Sequence, residues 1–239
     1  MYKRIVIKLS GEALLGSSSM YDADIVNNII TDIQNIMAKG VQVSLVIGGG
    51  NIWRGRSAPD MDSSKADQIG MLATVMNSIY LADRFIARGT NAVVMTPFQV
   101  GAFTEIFKKD TALEYLENNS VVIFGGGVGH PFFSTDTIPA LRAAELNCDC
   151  VLFAKNVNGI YDKNPDKYKD AIRYKTLTYR KIIQDNLEAI DITGIALCEK
   201  NNIPSLVFSL NTPNSIEIAA TKDPSEIATI ITVNGNITT

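Results

Sequence analysis

The sequence predicts an α/β fold, a three-layer αβα sandwich built around a mainly parallel sheet. Short apolar segments rich in β-branched residues alternate along the chain with segments whose apolar residues recur at helical spacing. The strand-like segments are apolar throughout, which is typical of parallel strands covered by helices on both faces. No internal repeat, low-complexity tract or linker rich in Pro, Gly or Ser interrupts the 239 residues, so we expect one domain over 1–239.

Each predicted element has its own local signal. Residues 4–9 are short, β-branched and apolar, and Gly11 follows them, which indicates a first buried strand. From Asp24 onward isoleucines recur every three or four residues until Gly40, which indicates a helix. The polar stretch 156–175 carries turn signals and is predicted to be a loop or a hairpin. The same signals predict further strands at 41–47, 92–96, 121–124, 150–154, 205–209 and 228–233, and further helices at 65–88, 111–117, 136–146, 180–186, 193–201 and 215–220.

Composition and charge exclude several classes of protein. The net charge of −3 leaves no basic excess to neutralise a nucleic-acid backbone, so we expect no nucleic-acid partner. No apolar run approaches the roughly 18 residues that span a bilayer, and Lys8 and Glu12 interrupt the N-terminal apolar segment before it could act as a signal peptide. The three cysteines match neither a disulfide framework nor a zinc site. We therefore expect a cytoplasmic protein without a membrane partner.

Three predicted strands end in glycine-rich segments, and two of these segments carry cations. Lys8-Leu9-Ser10-Gly11 closes the first strand, Gly48-Gly49-Gly50 closes the second and is followed by Arg54 and Arg56, and 125–129 closes the fourth. Glycine lets backbone N–H groups approach a phosphate closely, and lysine and arginine add cationic donors. Any one such loop has a structural explanation as a tight turn. Three at one edge of a sheet favour a site for a nucleoside triphosphate and a second, phosphorylated or anionic acceptor.

The motifs of several nucleotide-binding and hydrolytic classes are absent from the sequence. It contains no P-loop, no dinucleotide-binding fingerprint, no protein-kinase signature and no nucleophile elbow. Carboxylates do accompany the glycine-rich segments: Asp67 opens the predicted long helix, and Asp136 and Asp191 each precede a later one. Position alone leaves two interpretations open for each of the three, a helix N-cap or a residue of the site.

Four segments together resemble the motifs of bacterial uridylate (UMP) kinases, which belong to the amino acid kinase superfamily. They are 3–14 (KRIVIKLSGEAL), 48–55 (GGGNIWRG), 67–77 (DQIGMLATVMN) and 127–136 (GVGHPFFSTD), and the later segments 157–161 and 177–179 fit as well. The resemblance covers essentially the whole chain, and the run 70–77 is its most specific piece.

The resemblance implies an amino acid kinase-like fold and transfer of the ATP γ-phosphoryl group to UMP, giving UDP and ADP, in pyrimidine nucleotide and CTP biosynthesis. It also implies Mg²⁺ bound with ATP, mostly by phosphate oxygens and water. It further implies a homo-oligomer, a hexamer, under allosteric control with UTP as feedback inhibitor. The long helix around Met71, Met76, Ile79 and Tyr80 offers an apolar surface for such an interface. Two alternatives are a kinase for a small carboxylate or carbamate and a nucleotide-binding sensor without catalysis.

By resemblance, four residues have catalytic roles: Lys8, Arg54, Asp136 and Asp191. The ATP site would comprise Lys8, Leu9, Ser10, Gly11, Gly50, Arg54, Asn156, Tyr161 and Asn164. The UMP site would comprise Gly49, Asp67, Val128, Gly129, His130, Pro131, Phe132, Phe133, Ser134 and Thr135. Three of these positions depart from the family pattern, because Val128 stands where threonine is usual, His130 where asparagine is usual and Asn164 where aspartate is usual.

Overall fold

The computed structural model of the chain describes residues 2–16, 19–54, 58–187 and 190–239. Its strands are β1 (Arg4–Leu9), β2 (Gln42–Ile47), β3 (Ala92–Thr96), β4 (Glu105–Ile106), β5 (Val121–Phe124), β6 (Cys150–Lys155), β7 (Ile160–Tyr161), β8 (Arg173–Tyr174), β9 (Thr176–Thr178), β10 (Ser205–Ser209) and β11 (Ala228–Thr232). Its α-helices are α1 (Ala23–Ala38), α2 (Ser63–Ala87), α3 (Lys109–Glu117), α4 (Thr137–Glu145), α5 (Tyr179–Gln184), α6 (Ile192–Lys200) and α7 (Ser215–Thr221). A short 3-10 helix (Gly11–Leu14) follows β1.

Nine strands form the central sheet in the order β4-β3-β5-β2-β1-β6-β10-β11-β9. Among the strand pairs described in this sheet, β10 and β11 are antiparallel and the others are parallel. β1 lies between β2 and β6, and Lys8 is in register with Val46 on one side and Phe153 on the other. The carboxyl ends of these three central strands therefore meet at one edge, which is where parallel α/β sheets bind ligands.

The side chains of the central strands alternate between two apolar cores. Ile5 and Ile7 of β1 pack in a core with residues of α1, α2 and α7, whereas Val6 packs in a second core with residues of α3, α4, α5 and α6. Strands that are buried on both faces read as continuous apolar runs, and this is the pattern that the sequence carries. The structure confirms the predicted three-layer sandwich around a mainly parallel sheet.

The predicted long elements are confirmed, with ends that differ by at most two residues. The polar stretch 156–175 contains the hairpin of β7 and β8, a two-stranded sheet apart from the main one. The sequence prediction missed β4 and β9, which have two and three residues and are too short to show periodicity. Among the described helices, none has the combination of length and hydropathy that a bilayer crossing requires.

Candidate active site

The turn after β1 packs directly against the loop after β2. Ser10 accepts a hydrogen bond at Oγ from the N–H of Ala13 (3.1 Å) and so begins the 3-10 helix. A Cβ on Gly11 would lie 2.6 Å from the carbonyl oxygen of Gly48 and 2.7 Å from the nitrogen of Gly50. Because both neighbours are main-chain atoms, glycine is the residue that permits this approach. Two of the three glycine-rich segments are therefore in contact at the carboxyl edge of the sheet.

Helix α2 fastens the loops after β2 and β5. Asn77, which is fully buried, donates from Nδ2 to the carbonyl oxygen of Gly48 (2.7 Å) and to Oδ1 of Asn51 (2.7 Å). One turn earlier, Oγ1 of Thr74 accepts from the N–H of Gly126 (2.8 Å). Polar side chains of the run 70–77 therefore make hydrogen bonds to backbone groups of two glycine-rich loops. Backbone groups that are buried in a loop need such hydrogen-bond partners.

A buried carboxylate between two lysines occupies the edge of the sheet. Oδ1 of Asp136 lies 2.9 Å from Nζ of Lys8, and Oδ2 lies 3.0 Å from Nζ of Lys155. Burial disfavours the charged carboxylate, but the two ammonium groups outweigh this effect and hold the pKa of Asp136 below its usual value. Burial, opposed by Asp136 and assisted by the charge of Lys8, lowers the pKa of Lys155. The three side chains form one charged cluster at the ends of β1 and β6.

The structure separates the two interpretations of Asp136 and Asp191. Asp136 precedes α4, but its side chain makes no capping hydrogen bond, so the capping interpretation is wrong for this residue. Asp191 does cap α6, because its Oδ1 accepts from the N–H of Thr193 (3.0 Å). The same oxygen accepts from Oγ1 of Thr137 (3.1 Å), the first residue of α4. Asp191 therefore links α6 to α4 beside Asp136.

Asp67 lies inside α2 rather than at its start. The helix begins at Ser63, and Asp62 caps it by accepting from the N–H of Lys65 (3.1 Å). The predicted opening of the helix at Asp67 and the capping interpretation of this residue are therefore both wrong. Instead, Oδ2 of Asp67 accepts from the N–H of Phe132 (2.7 Å) across the loop after β5. The carboxylate joins the long helix to the loop that the resemblance assigns to UMP.

A cavity of about 230 Å³ lies between α2, the loop after β2 and the loop after β5. Of the residues predicted to bind UMP, those that line it are Gly49, Asp67, Val128, His130, Phe133 and Thr135. Ser134 lines an adjoining cavity together with Arg54. Gly129, Pro131 and Phe132 lie outside both linings, and Phe132 is 74% exposed with a φ of 70°.

A second cavity, of about 400 Å³, lies under the β7–β8 hairpin. Tyr161 and Asn164, both predicted to bind ATP, line it, and so does Lys155. Asn156, also predicted to bind ATP, does not line it, and its carbonyl oxygen instead accepts from Oγ of Ser209 (3.5 Å). The Lys8–Asp136–Lys155 cluster thus borders this cavity through one of its own members.

Arg54 spans the two contacting loops. Its Nη2 lies 2.6 Å from Oε1 of Glu12, in the turn after β1, and its Nε donates to the carbonyl oxygen of Gly50 (3.3 Å). Leu9 is buried in the apolar core, so its side chain is not available to a ligand. Arg56, the other cation predicted after this loop, lies outside the described residues.

Sequence reasoning missed Lys155 and Glu12. Glu12 stands in the motif 3–14, but its pairing with Arg54 depends on the contact between two loops that are distant in sequence. Lys155 is the charged last residue of an otherwise apolar strand, and this was the available signal. Its meaning depends on β6 lying beside β1, which no local pattern shows.

Residues 3–209 match the amino acid kinase family, and the chain belongs to that family. Strands β1 to β10, the glycine-rich strand ends and the buried Lys8–Asp136 pair lie within this matched region, and β11 lies beyond it.

Two solved structures are similar to the chain over nearly its full length. UMP kinase from Bacillus anthracis is 34% identical with a TM-score of 0.93, and the match covers 100% of this chain and 99% of that one. UMP kinase from Ureaplasma parvum is 35% identical with a TM-score of 0.89, over 97% of this chain and 99% of that one. Uridylate kinase from Archaeoglobus fulgidus, at 24% identity and a TM-score of 0.72 over 95% of this chain and 99% of that one, shares the fold.

Proposed function

We propose that this protein transfers the γ-phosphoryl group of ATP to UMP, giving UDP and ADP. The observation that carries the proposal is the Lys8–Asp136–Lys155 cluster at the sheet edge. Lys155 lines the larger cavity, of about 400 Å³, and Thr135, the residue before Asp136, lines the smaller cavity, of about 230 Å³. Full-length similarity to two UMP kinases supports UMP over a small carboxylate or carbamate as the acceptor. A nucleotide-binding sensor would not need this cluster.

The proposed mechanism rests on position and charge. Phosphoryl transfer demands little covalent chemistry from the protein, and preorganised donors lower its barrier by stabilising the charge that develops. In this proposal Lys8 contacts the transferring group, and the N–H groups of Ser10, Gly11 and Gly50 hold the donor phosphates. When ATP binds, Arg54 leaves its ion pair with Glu12 and pairs with the phosphates. Asp136 holds Lys8 and Lys155 in position. Magnesium enters with ATP as part of the substrate, bound by phosphate oxygens and water.

The acceptor, UMP, would occupy the smaller cavity, of about 230 Å³, between α2 and the loops after β2 and β5. The charge of Asp67 suits a ribose hydroxyl donor, while its Oδ2 already holds the loop after β5 through Phe132. Val128, His130, Phe133 and Thr135 would enclose the base from that loop. Asp191 would act on this site indirectly, through Thr137 and the start of α4.

The base and ribose of the donor, ATP, would occupy the larger cavity, of about 400 Å³, under the β7–β8 hairpin. Tyr161 and Asn164 line it, and the side chain of Asn164 already accepts from the N–H of Asp166 (2.8 Å). Lys155 rather than Asn156 reaches this cavity, so we transfer the predicted contact of Asn156 with ATP to its neighbour.

We further propose that the chain folds as one domain over 1–239 and assembles into a homo-oligomer, a hexamer. We also propose that the protein acts in the cytoplasm and that UTP inhibits it by feedback. Met76 and Ile79 are exposed on α2, together with Leu72 and Ile86, and this apolar surface supports an interface. Two residues of the predicted interface make contacts elsewhere. Met71 lines the smaller cavity, and the ring of Tyr80 stacks on that of Tyr21. Light scattering tests the assembly, since a monomer would have a mass of 26.0 kDa.

A coupled ADP-release assay tests the activity. UMP, CMP, dUMP and glutamate are offered in turn as acceptors with MgATP, and UTP is added to the best of them. We expect the fastest turnover with UMP and inhibition by UTP. Faster turnover with glutamate would establish a small-carboxylate kinase instead, and ATP binding without turnover of any acceptor would favour a sensor.

A further inference from the structure

Tyr21 lies between the 3-10 helix and α1, and its side chain reaches α2. Its hydroxyl group donates to Oδ1 of Asn77 (2.9 Å), and its ring stacks on that of Tyr80, with 3.8 Å between the ring centroids and 11° between the planes. Asn77 and Tyr80 are three residues apart on α2 and are therefore neighbours on the surface of that helix. Tyr21 thus connects the segment before α1 to the helix that holds the loops after β2 and β5.

The hydrogen bonds of Asn77 fix the direction in which its amide group points. Its Nδ2 donates to the carbonyl oxygen of Gly48 and to Oδ1 of Asn51, both at 2.7 Å. Its Oδ1 accepts from Nδ2 of Asn51 (3.1 Å) and from the hydroxyl group of Tyr21 (2.9 Å). The carbonyl of Gly48 can only accept, so the amide nitrogen must face it and the amide oxygen must face Tyr21. An amide offers two N–H donors and two lone pairs, so these four bonds use its whole capacity, and Tyr21 supplies the fourth.

The loop that this amide holds lies between the two substrate sites of the proposed function. Gly49 lines the smaller cavity, and the N–H group of Gly50 is proposed to hold the donor phosphates. The amide of Asn51 lies against the turn after β1, because a Cβ on Gly11 would be 2.5 Å from its Oδ1. A shift of the Asn77 amide would therefore displace the loop after β2 and disturb its contact with the turn after β1.

We propose that Tyr21 is a positioning residue for phosphoryl transfer, which acts through Asn77 on the loop 48–51. The proposal rests on the proposed function. Tyr21 keeps its proton and makes no contact with either substrate. Burial and the neighbouring Tyr80 raise the pKa of the Tyr21 phenol, so the hydroxyl group remains a donor at neutral pH. The loop is then in place before the substrates arrive, which is the condition for preorganised stabilisation of developing charge.

Tyr80 provides the matched control. Tyr21→Phe removes one hydroxyl group of the stacked pair and keeps both rings, and Tyr80→Phe removes the other hydroxyl group in the same way. Among the residues that the structure describes, the hydroxyl group of Tyr80 has no hydrogen-bond partner. The two variants therefore differ in whether the hydrogen bond to Asn77 is lost. Thermal melting confirms that each variant is folded.

Hydrogen–deuterium exchange followed by mass spectrometry gives a test that does not depend on turnover. The N–H groups of Ile52 and Trp53 both donate to the carbonyl oxygen of Gly49 (2.9 Å), so their exchange reports whether the loop keeps its shape. We expect peptides that cover 48–53 to exchange about 3–10-fold faster in Tyr21→Phe, because one neutral hydrogen bond that holds the loop is lost. Tyr80→Phe should exchange at the wild-type rate. Unchanged exchange in Tyr21→Phe, or the same acceleration in both variants, would overturn the proposal.

Steady-state kinetics with MgATP and UMP test whether the position of the loop matters for the transfer. We expect Tyr21→Phe to lower kcat about 3–10-fold with the KM for each substrate within about twofold, and Tyr80→Phe to keep the wild-type kcat. A hydrogen bond with a merely structural role would lower the melting temperature and leave the kcat of the folded enzyme unchanged. An unchanged kcat in Tyr21→Phe therefore refutes the positioning role, even if the loop exchanges faster.

The two tests keep the inference separate from the proposed function. If wild-type protein fails to phosphorylate UMP, the proposed function is wrong, and the exchange of the loop 48–51 still reports whether Tyr21 holds it. If wild-type protein phosphorylates UMP and Tyr21→Phe matches Tyr80→Phe in both tests, the function stands and the role of Tyr21 is refuted.

Discussion

Replacing Asp67 by asparagine should weaken the acceptor site while leaving the donor site intact. The new amide side chain can still accept from the N–H of Phe132 through its single carbonyl oxygen, so the 2.7 Å link to the loop after β5 can persist. The charge is lost. Hydrogen bonds to charged groups contribute about 1.5–3 kcal/mol and neutral ones about 0.5–1.5 kcal/mol, so the difference is roughly 1–1.5 kcal/mol. This difference corresponds to about a tenfold rise in the KM for UMP.

The assay measures the KM for UMP and for ATP, and the ratio of kcat/KM for UMP over dUMP. We expect the KM for ATP to stay within about twofold and the UMP/dUMP ratio to fall, since dUMP lacks one ribose hydroxyl. Asp62→Asn is the matched control, because Asp62 is the true cap of α2 and asparagine caps about as well as aspartate. If Asp67→Asn leaves both KM values and the UMP/dUMP ratio unchanged, Asp67 has no contact with the acceptor ribose.

The other predictions concern the first glycine-rich turn, α2 and the buried charges. Lys8→Ala should lower kcat by about 10²–10³-fold while nucleotide binding persists, and a kcat above half of wild type would contradict its role. Gly11→Ala should lower the free energy of unfolding by about 1–3 kcal/mol because its Cβ would meet main-chain atoms, whereas Gly70→Ala, with nothing closer than 3.7 Å, should be neutral or stabilising by up to about 1 kcal/mol in denaturant melts. The lowered pKa of Asp136 gives a stability contribution that is complete above the unfolded carboxyl pKa of about 3.9 and is lost as pH falls toward the folded pKa, so Asp136→Asn should flatten the acid limb of the stability curve. Equal acid slopes in the two proteins would show that the lysines do not hold this carboxylate.

The sequence predicted what depends on periodicity and turn chemistry. The buried strand β5 is apolar over its whole length, and the helix α1 repeats isoleucine at helical spacing. The ends of both elements were predicted to within two residues. β4 escaped because two residues carry no period. Asp67 was misplaced because Asp62 and Asp67 both stand near the start of one helix and helix boundaries are weakly encoded.

The candidate site was predictable only as far as its motifs reach. Asp136 and Asp191 look alike in the sequence, since each precedes a helix. What separates them is the pairing of β1 with β6, which brings Lys8 and Lys155 to Asp136 and leaves Asp191 as a cap. Such pairings between distant segments are tertiary facts, and local sequence reasoning does not contain them. The resemblance assigned Asn156 to the ATP site, and in the fold its neighbour Lys155 lines the cavity under the β7–β8 hairpin.

The two adjacent residues Met76 and Asn77 lie on different faces of α2, one exposed and one buried. Met76 is 53% exposed, whereas Asn77 is fully inaccessible and holds the loop after β2. Successive residues of a helix are rotated by about 100° about its axis, so neighbouring residues can face solvent and core. The exposed apolar side chains and the buried polar side chains that hold the loops therefore belong to one rigid cylinder, the helix α2. Any rotation or shift of this cylinder displaces both together. Mutational drift on the outside of α2 is therefore constrained by the loops on its inside, even at positions that no substrate touches.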